Sequence, residues 1–166
     1  KKGAVFMNYL SEMNKTFDAY KGDARLGDMA KDVKEYIDLM AAMGMYFAAC
    51  GKEGKFMIPI TNAYPFLNLV GCVSLAWLHL WMAGVAEEKL QAIYKAKGID
   101  PTDKKALKAL PAEDKEVAFY QGKVFSAEYY IKNILPTSKS YAEAIRKEDM
   151  SLMKIDDASF ACGENL

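Results

Sequence analysis

The stretch Phe56–Ala86, which reads FMIPITNAYPFLNLVGCVSLAWLHLWMAGVA, contains no charged residue and ends at Glu87-Glu88-Lys89. A segment of this kind has to be hidden from water, either in a lipid bilayer or at the centre of a helical bundle. Its second part, Phe66–Ala86, meets the roughly 20 residues that a bilayer-spanning helix needs. The choice between these two environments decides the fold.

Polar side chains within the stretch and the charges at its ends favour the bundle. The polar residues include Asn62, Asn68, Ser74 and His79, the only histidine of the chain. Such side chains are rare in the centre of a bilayer. No basic cluster stands at either end to set an orientation, since Lys55 is alone on one side. We therefore predict no membrane span, but a buried helix that other helices surround.

The composition indicates one folded domain and excludes a nucleic-acid partner. A length of 166 residues with 52% hydrophobic residues is enough for a substantial core. The 22 basic and 22 acidic residues cancel, so no overall field attracts DNA, RNA or an anionic membrane. Only Arg25 and Arg146 supply the guanidinium that phosphate recognition favours.

The cysteines and the first residues bear on the origin of the chain. Cys50, Cys72 and Cys162 are odd in number and lack a metal-ligand spacing, which is typical of a reducing compartment. We therefore expect a cytoplasmic protein. Lys1-Lys2-Gly3 leads directly into a helical pattern without an initiator methionine, so we also expect a fragment of a longer polypeptide.

Apolar residues at steps of three and four predict two helices before the charge-free stretch. The first carries Val5, Phe6, Tyr9, Leu10, Met13, Phe17 and Tyr20 and ends at Gly22. The second carries Leu26, Met29, Val33, Tyr36, Met40, Met43 and Phe47 and ends near Gly51 and Gly54. The third helix contains the stretch itself, beginning between Ala63 and Phe66 and ending near Ala96, before Gly98.

After a polar connection at 99–110, with at most a short turn at 104–110, a fourth helix is predicted to open at 111–114. Its apolar positions are Val117, Tyr120, Val124, Ala127, Ile131 and Ile134. Pro136 is expected to kink or break it, although Tyr141, Ala142 and Ile145 continue an apolar face. The fold class is therefore all-α, an antiparallel four-helix bundle at 1–149 with a central apolar third helix and a short C-terminal tail at 150–166. Because the third helix is so apolar, we expect a partner or another domain to supply a further surface.

The chain offers few candidates for chemistry, and we assign no catalytic, cofactor-binding or metal-binding residue. One histidine cannot supply the two Glu-x-x-His pairs of a di-metal bundle, so His79 is interpreted as a core residue that bonds a carbonyl or hydroxyl. Cys72 lies two turns from His79, too far for an activated thiol. Glu87 and Glu88 are interpreted as a solvated surface rather than a carboxylate pair. The aromatic residues that could line a ligand slot, Trp77, Trp81, Tyr129 and Tyr130, are interpreted as core.

Several motifs occur in an order that resembles the extra C-terminal domain of large acyl-CoA dehydrogenase-like proteins. They are Ala63–Gly71 (AYPFLNLVG), Trp77, Met82-Ala83, Phe119–Lys123 (FYQGK), Ile134–Pro136, Ala144–Arg146 and Ser151–Met153. The resemblance spans nearly the whole chain and points to the 3-methylmercaptopropionyl-CoA dehydrogenase-like subgroup. The connection Gly98–Leu110 looks longer and richer in lysine than in that family.

The resemblance implies a flavin-dependent parent enzyme of fatty acid metabolism, with FAD as cofactor and acyl-CoA as substrate. In that family a dehydrogenase body precedes this domain and carries the catalytic glutamate and the flavin-binding segments, so none is expected here. The implied partners are this body and a second subunit, as in a homodimer. The alternative is a free-standing bundle that binds a protein partner or an apolar ligand.

Overall fold

One long helix, α4 (Ala63–Ala96), carries most of the charge-free stretch and occupies the centre of the fold. The computed structural model describes residues 3–160. In it, α4 packs against four other helices: α1 (Ala4–Tyr20), α2 (Gly27–Lys52), α6 (Lys115–Tyr129) and α7 (Lys139–Arg146). No strand occurs between residues 3 and 160, which confirms the all-α class.

Contacts between side chains give the directions of the long helices. Helix α1 contacts α4 through Tyr9 with Ser74 and Thr16 with Trp77. Arg25, in the turn before α2, contacts Glu87, and Phe47 of α2 contacts Phe66. Gln121 of α6 contacts Tyr94, and Tyr130, in the turn after α6, contacts the backbone carbonyl of Cys72. Residue numbers rise together along α1 and α4, whereas they run in opposite senses in the other two pairings. Both α2 and α6 are therefore antiparallel to α4.

Two short helices stand where loops were expected. Helix α3 (Met57–Thr61) precedes α4, and α5 (Lys104–Glu113) replaces most of the predicted polar connection. The Asp103 carboxylate caps α5 by accepting hydrogen bonds from two backbone N–H groups of its first turn. Asp114 caps α6 in the same way, so the fourth long helix begins after Asp114, and Pro111 belongs to the last turn of α5.

The α-helix is interrupted around Pro136, as predicted, but the chain stays helical across the interruption. A π-helical turn at Tyr130–Ile134 and a 3₁₀ turn at Leu135–Ser138 connect α6 to α7. Proline lacks the N–H that would continue the α-helical pattern, and a change in hydrogen-bond spacing accommodates that loss. It also shifts the buried positions, because Leu135 is buried where Ile134 was expected, and Ile134 is exposed.

The remaining predicted seams are largely confirmed. The six predicted seam positions of the second helix from Leu26 to Met43 are buried, and Phe47 packs against the core. Val5 is the exception in α1, because it is largely exposed. After α7, the chain forms 3₁₀ turns at Ser151–Lys154 and Asp157–Phe160 without a buried residue. The division into a bundle at 1–149 and a tail at 150–166 stays a prediction, and Cys162 lies outside the described residues.

The contact between α1 and α4 depends on a glycine. A Cβ placed on Gly84 would lie 2.0 Å from Cζ of Tyr20, well inside van der Waals contact. Gly84→Ala should force the Tyr20 ring off α4, at a cost of about 1–3 kcal/mol for overpacking. The helix preference of alanine returns up to about 1 kcal/mol of that cost. We expect a net loss of unfolding free energy of up to about 2 kcal/mol in urea denaturation.

The matched control for this prediction is Gly71→Ala on the same helix. A Cβ at Gly71 has no heavy atom within 4 Å, so only the gain in helix propensity remains. This variant should be more stable than the natural chain by up to about 1 kcal/mol. Equal effects of the two substitutions would contradict a close packing of Tyr20 on Gly84.

Candidate functional site

One side of α4 is not covered by residues 3–160. We call the large apolar residues on this side the outward stripe: Tyr64, Leu67, Leu75, Leu78, Trp81 and Val85, which are 44–73% exposed. They follow each other at the spacing of one helix face, with Gly71 between Leu67 and Leu75. Together they expose several hundred Å², the size of patch that on a monomer is often functional (about 300–600 Å²). Residues 3–160 thus leave this side of α4 open, and the further surface that a partner or another domain is expected to supply stays a prediction.

A groove runs beside the outward stripe, between α4 and α6. Its volume is about 370 Å³, and its lining residues are Leu78, Trp81, Met82, Val85, Ala86, Phe119, Tyr120 and Lys123. Of these, only Lys123 is charged, and its Nζ lies 5.1 Å from the centroid of the Phe119 ring. The groove widens the apolar surface on this side. Trp81, interpreted from the sequence as core, is thus a surface residue.

A second apolar groove lies between α1, α2 and the start of α4. It measures about 1020 Å³ and is lined by Gly3, Phe6, Met7, Gly44, Met45, Phe47, Ala48, Lys52 and Phe66. Phe6 lies directly over Gly44, where an added Cβ would be 2.7 Å from its ring. Lys52 is the one charged residue of this lining. The groove therefore combines flexible apolar side chains with a single cation.

Hydrogen bonds on the covered side hold α4 in a fixed rotation about its axis. Tyr9 donates to Ser74 Oγ at 2.6 Å, and Trp77 Nε1 donates to Thr16 Oγ1 at 2.7 Å. Both bonds join α1 to α4. Because they fix which residues face inward, they also fix the direction of the outward stripe.

Glu87 is not the solvated residue that the sequence suggested. It is 8% exposed, and its Oε2 accepts a hydrogen bond from Arg25 Nη1 at 2.7 Å while Gln91 donates to its Oε1. Arg25 also lies over the Phe125 ring. A buried carboxylate needs such a partner, and no local motif around Glu87 signals one that is 62 residues away. Glu88 is exposed, so the two acids form no pair.

His79 is held differently from the expected hydrogen bond to a carbonyl or hydroxyl. Its ring stacks on Tyr130 with centroids 4.7 Å apart, and its buried Nδ1 has no partner among the described residues. Tyr130 in turn donates to the backbone carbonyl of Cys72 at 3.3 Å. Burial and then the neighbouring Cys72 raise the pKa of Tyr130 to about 12, so the phenol stays protonated. The cluster links α4 to the turn after α6, and its phenol is no base at neutral pH.

His79 should make the stability of the domain depend on pH. Burial, and to a smaller extent Lys123, lowers the pKa of His79 below its ordinary value of 6.5. The unfolded chain then binds a proton more readily, so the stability is fully present above pH 6.5 and falls as the pH drops toward the folded-state pKa. His79→Phe keeps the stacking on Tyr130 but removes this titration. Its melting temperature should fall less than that of the natural chain between about pH 7.5 and about pH 5.5.

The contrary outcome is an equal fall in melting temperature for the two proteins over that range. It would assign the acid sensitivity to the carboxylates instead of His79. Tyr130→Phe serves as the control, since it keeps the aromatic ring under His79 and leaves the histidine to titrate.

Between residues 3 and 160, no group of three or more His, Cys, Asp or Glu side chains is placed to hold a metal ion. Helix α4 is long and apolar enough to cross a membrane, with a mean hydropathy of 1.7 in its most apolar window, of which 39% is buried. The central helix of a soluble bundle meets the same criteria.

Comparison with known proteins shows the family to which the chain belongs. The family model described as "Acetyl-CoA dehydrogenase C-terminal like" matches residues 9–156. The chain belongs to this family. The acetyl-CoA dehydrogenase C-terminal-like domain found here thus includes all of α2 to α7 and most of α1.

A curated relative shows where such a domain occurs. The chain is 26% identical over 164 residues to the broad-specificity linear acyl-CoA dehydrogenase FadE5 of Mycobacterium tuberculosis (strain ATCC 25618 / H37Rv). The alignment covers 96% of this chain and 24% of the relative. This chain therefore spans about a quarter of the length of that dehydrogenase.

Proposed function

We propose that this chain is the noncatalytic C-terminal helical domain of a flavin-dependent acyl-CoA dehydrogenase. In this proposal its long helices form an antiparallel four-helix bundle that packs against the dehydrogenase body of the same polypeptide or against a second subunit of a homodimer. The parent enzyme is proposed to be cytoplasmic and to belong to the 3-methylmercaptopropionyl-CoA dehydrogenase-like subgroup. The family match supports the general assignment, and the outward stripe is the observation that carries the packing role.

The stripe supports a packing role because its exposure is costly in water. Burial of apolar surface contributes about 25 cal/mol per Å², so covering several hundred Å² favours docking by several kcal/mol before the cost of association. A domain on the same polypeptide bears little of that association cost, because the tether supplies a high effective concentration. The domain would then hold helices of the body in place without contact to the reacting atoms.

The two apolar grooves of this chain do not suit FAD, which the proposed parent requires. The pyrophosphate of a dinucleotide needs converging backbone N–H groups or arginine side chains. The larger groove offers one lysine, Lys52, and the groove beside α6 offers one lysine, Lys123. We therefore place flavin binding and the dehydrogenation of the acyl thioester in the rest of the parent protein.

The proposal is tested by deleting this domain from the complete enzyme. The truncated enzyme should lose thermal stability and part of its bound flavin, and its oligomeric state should change in analytical ultracentrifugation. Activity per flavin retained should change little, because no reacting group is removed. Unchanged stability, flavin content and oligomeric state would contradict the proposal.

A second candidate is a free-standing bundle that binds an apolar ligand. The observation in its favour is the groove lined by Phe6, Phe47, Phe66 and two methionines, since pockets for small molecules commonly have about 300–1,000 Å³ and apolar walls. Saturable binding of a fluorescent fatty acid, abolished by Gly44→Leu, would support it. Absence of such binding would leave the packing role alone.

A further inference from the structure

The outward stripe has the geometry of a helix-packing ridge. Tyr64 and Val85 are 21 positions apart, which at 1.5 Å per residue gives an uncharged ridge of about 30 Å. Charged residues occur at both ends, with Lys55 on one side and Glu88 and Lys89 on the other. A straight row of side chains at helical spacing fits into the groove of another helix.

Gly71 indicates where that second helix crosses. Two other glycines of the long helices leave room for an aromatic ring of this chain, because Tyr20 packs on Gly84 and Phe6 packs on Gly44. Gly51, Gly71 and Gly122 have no heavy atom of residues 3–160 within 4 Å of the Cβ position, and of these three only Gly71 lies on the outward stripe. Glycine costs about 1 kcal/mol relative to alanine in a helix interior, and no contact with residues 3–160 requires it there. The notch at Gly71, between Leu67 and Leu75, therefore points to a neighbour outside the domain.

We infer that one helix of the dehydrogenase body crosses α4 at Gly71, with a bulky apolar side chain seated in the notch and its apolar face along the outward stripe. This inference rests on the proposed function and names the surface that performs it. The occupant is part of the same polypeptide, because this domain accounts for only about a quarter of the length of the related dehydrogenase. The net charge of zero gives no long-range attraction to a separate partner, whereas a tethered helix needs none.

The test uses the complete enzyme with the photo-cross-linking residue p-benzoylphenylalanine in place of Leu78, at the centre of the stripe. Illumination should join this position to one helix of the dehydrogenase body within the same chain, as identified by mass spectrometry of the peptides. A cross-link to a second chain, to lipid, or to no protein at all would overturn the inference.

Substitutions at the notch provide the second part of the test. Gly71→Leu fills the notch and should lower the yield of the cross-link several-fold, with Gly71→Ala intermediate. Ala92→Leu is the matched control, because Ala92 is exposed on the same helix beyond Glu88 and Lys89. The cross-link yield of this variant should equal that of the enzyme that carries only the photo-cross-linking residue at position 78. Circular dichroism checks that each variant keeps its helical content. An unchanged yield in Gly71→Leu would overturn the crossing at Gly71.

The failure of this inference is distinguishable from that of the proposed function. Deletion of the domain reports on the function, whereas the cross-link and the Gly71 variants report on the surface. If deletion destabilises the enzyme but Gly71→Leu has no effect on the cross-link, the domain docks through another face. If deletion has no effect, the proposed function itself fails.

Discussion

Shortening Leu80 to alanine is expected to lower the free energy of unfolding by about 2–5 kcal/mol, because it removes a side chain that is 1% exposed and leaves a cavity at the centre of the fold. The same change at Leu78, two residues away on the same helix, should cost the 166-residue chain at most about 1 kcal/mol, because Leu78 is 45% exposed. Urea denaturation of both variants measures the difference. Similar losses at the two positions would contradict the division of α4 into a covered and an uncovered face.

Leu80→Ala and Leu78→Ala also distinguish the packing of α4 inside this domain from its packing against the rest of the proposed enzyme. Within the complete dehydrogenase, Leu78→Ala should become destabilising because its side chain is then buried by the body. Leu80→Ala should cost about the same in both settings. A neutral effect of Leu78→Ala in the complete enzyme would argue against burial of the stripe.

Removal of the Arg25 charge should have the second large effect. The Glu87 side chain is 10% exposed and the Arg25 side chain 36%, so Arg25→Met leaves a buried carboxylate with only Gln91 as a donor. Loss of one partner of a buried pair costs about 3–5 kcal/mol, and the partial exposure of Arg25 reduces this to about 2–3 kcal/mol. The double variant Arg25→Met with Glu87→Leu should recover most of the loss.

These energies are measured as a double-mutant cycle by thermal and urea unfolding. The coupling energy between the two sites should be favourable and at least about 1 kcal/mol. Strictly additive effects would mean that the ion pair contributes nothing and that Arg25 acts through its packing on Phe125 alone.

The sequence was sufficient to predict the long helices because their stabilisation is local and periodic. The apolar steps of α2 predicted its buried face from Leu26 to Met43, and the absence of charge predicted the position of α4. Boundaries were less reliable. Asp103 and Asp114 each cap a helix. The cap at Asp103 stabilises α5 in a segment whose polar sequence had predicted a loop.

The residues whose burial was mispredicted from the sequence depend on contacts with remote parts of the chain or on irregular helical turns. Glu87 appeared solvated because its partner Arg25 is remote in the chain. Leu135 replaced Ile134 in the core because a π-helical turn shifts the register by a fraction of a turn, and apolar spacing alone does not reveal such a turn. The uniform hydrophobicity of α4 likewise does not show which side of the helix is covered by the rest of this domain. That distinction requires the packing of α1, α2, α6 and α7.

In the complete enzyme, another part of the polypeptide should cover the outward stripe. Hydroxyl-radical footprinting of the two tryptophans tests it most directly, because Trp81 is 52% exposed in this chain whereas Trp77 is partly buried and bonded to Thr16. The oxidation rate of Trp81 should fall several-fold between the isolated domain and the complete enzyme, while that of Trp77 stays nearly constant. Equal oxidation of Trp81 in both proteins would show that the stripe remains open to water and would contradict the account.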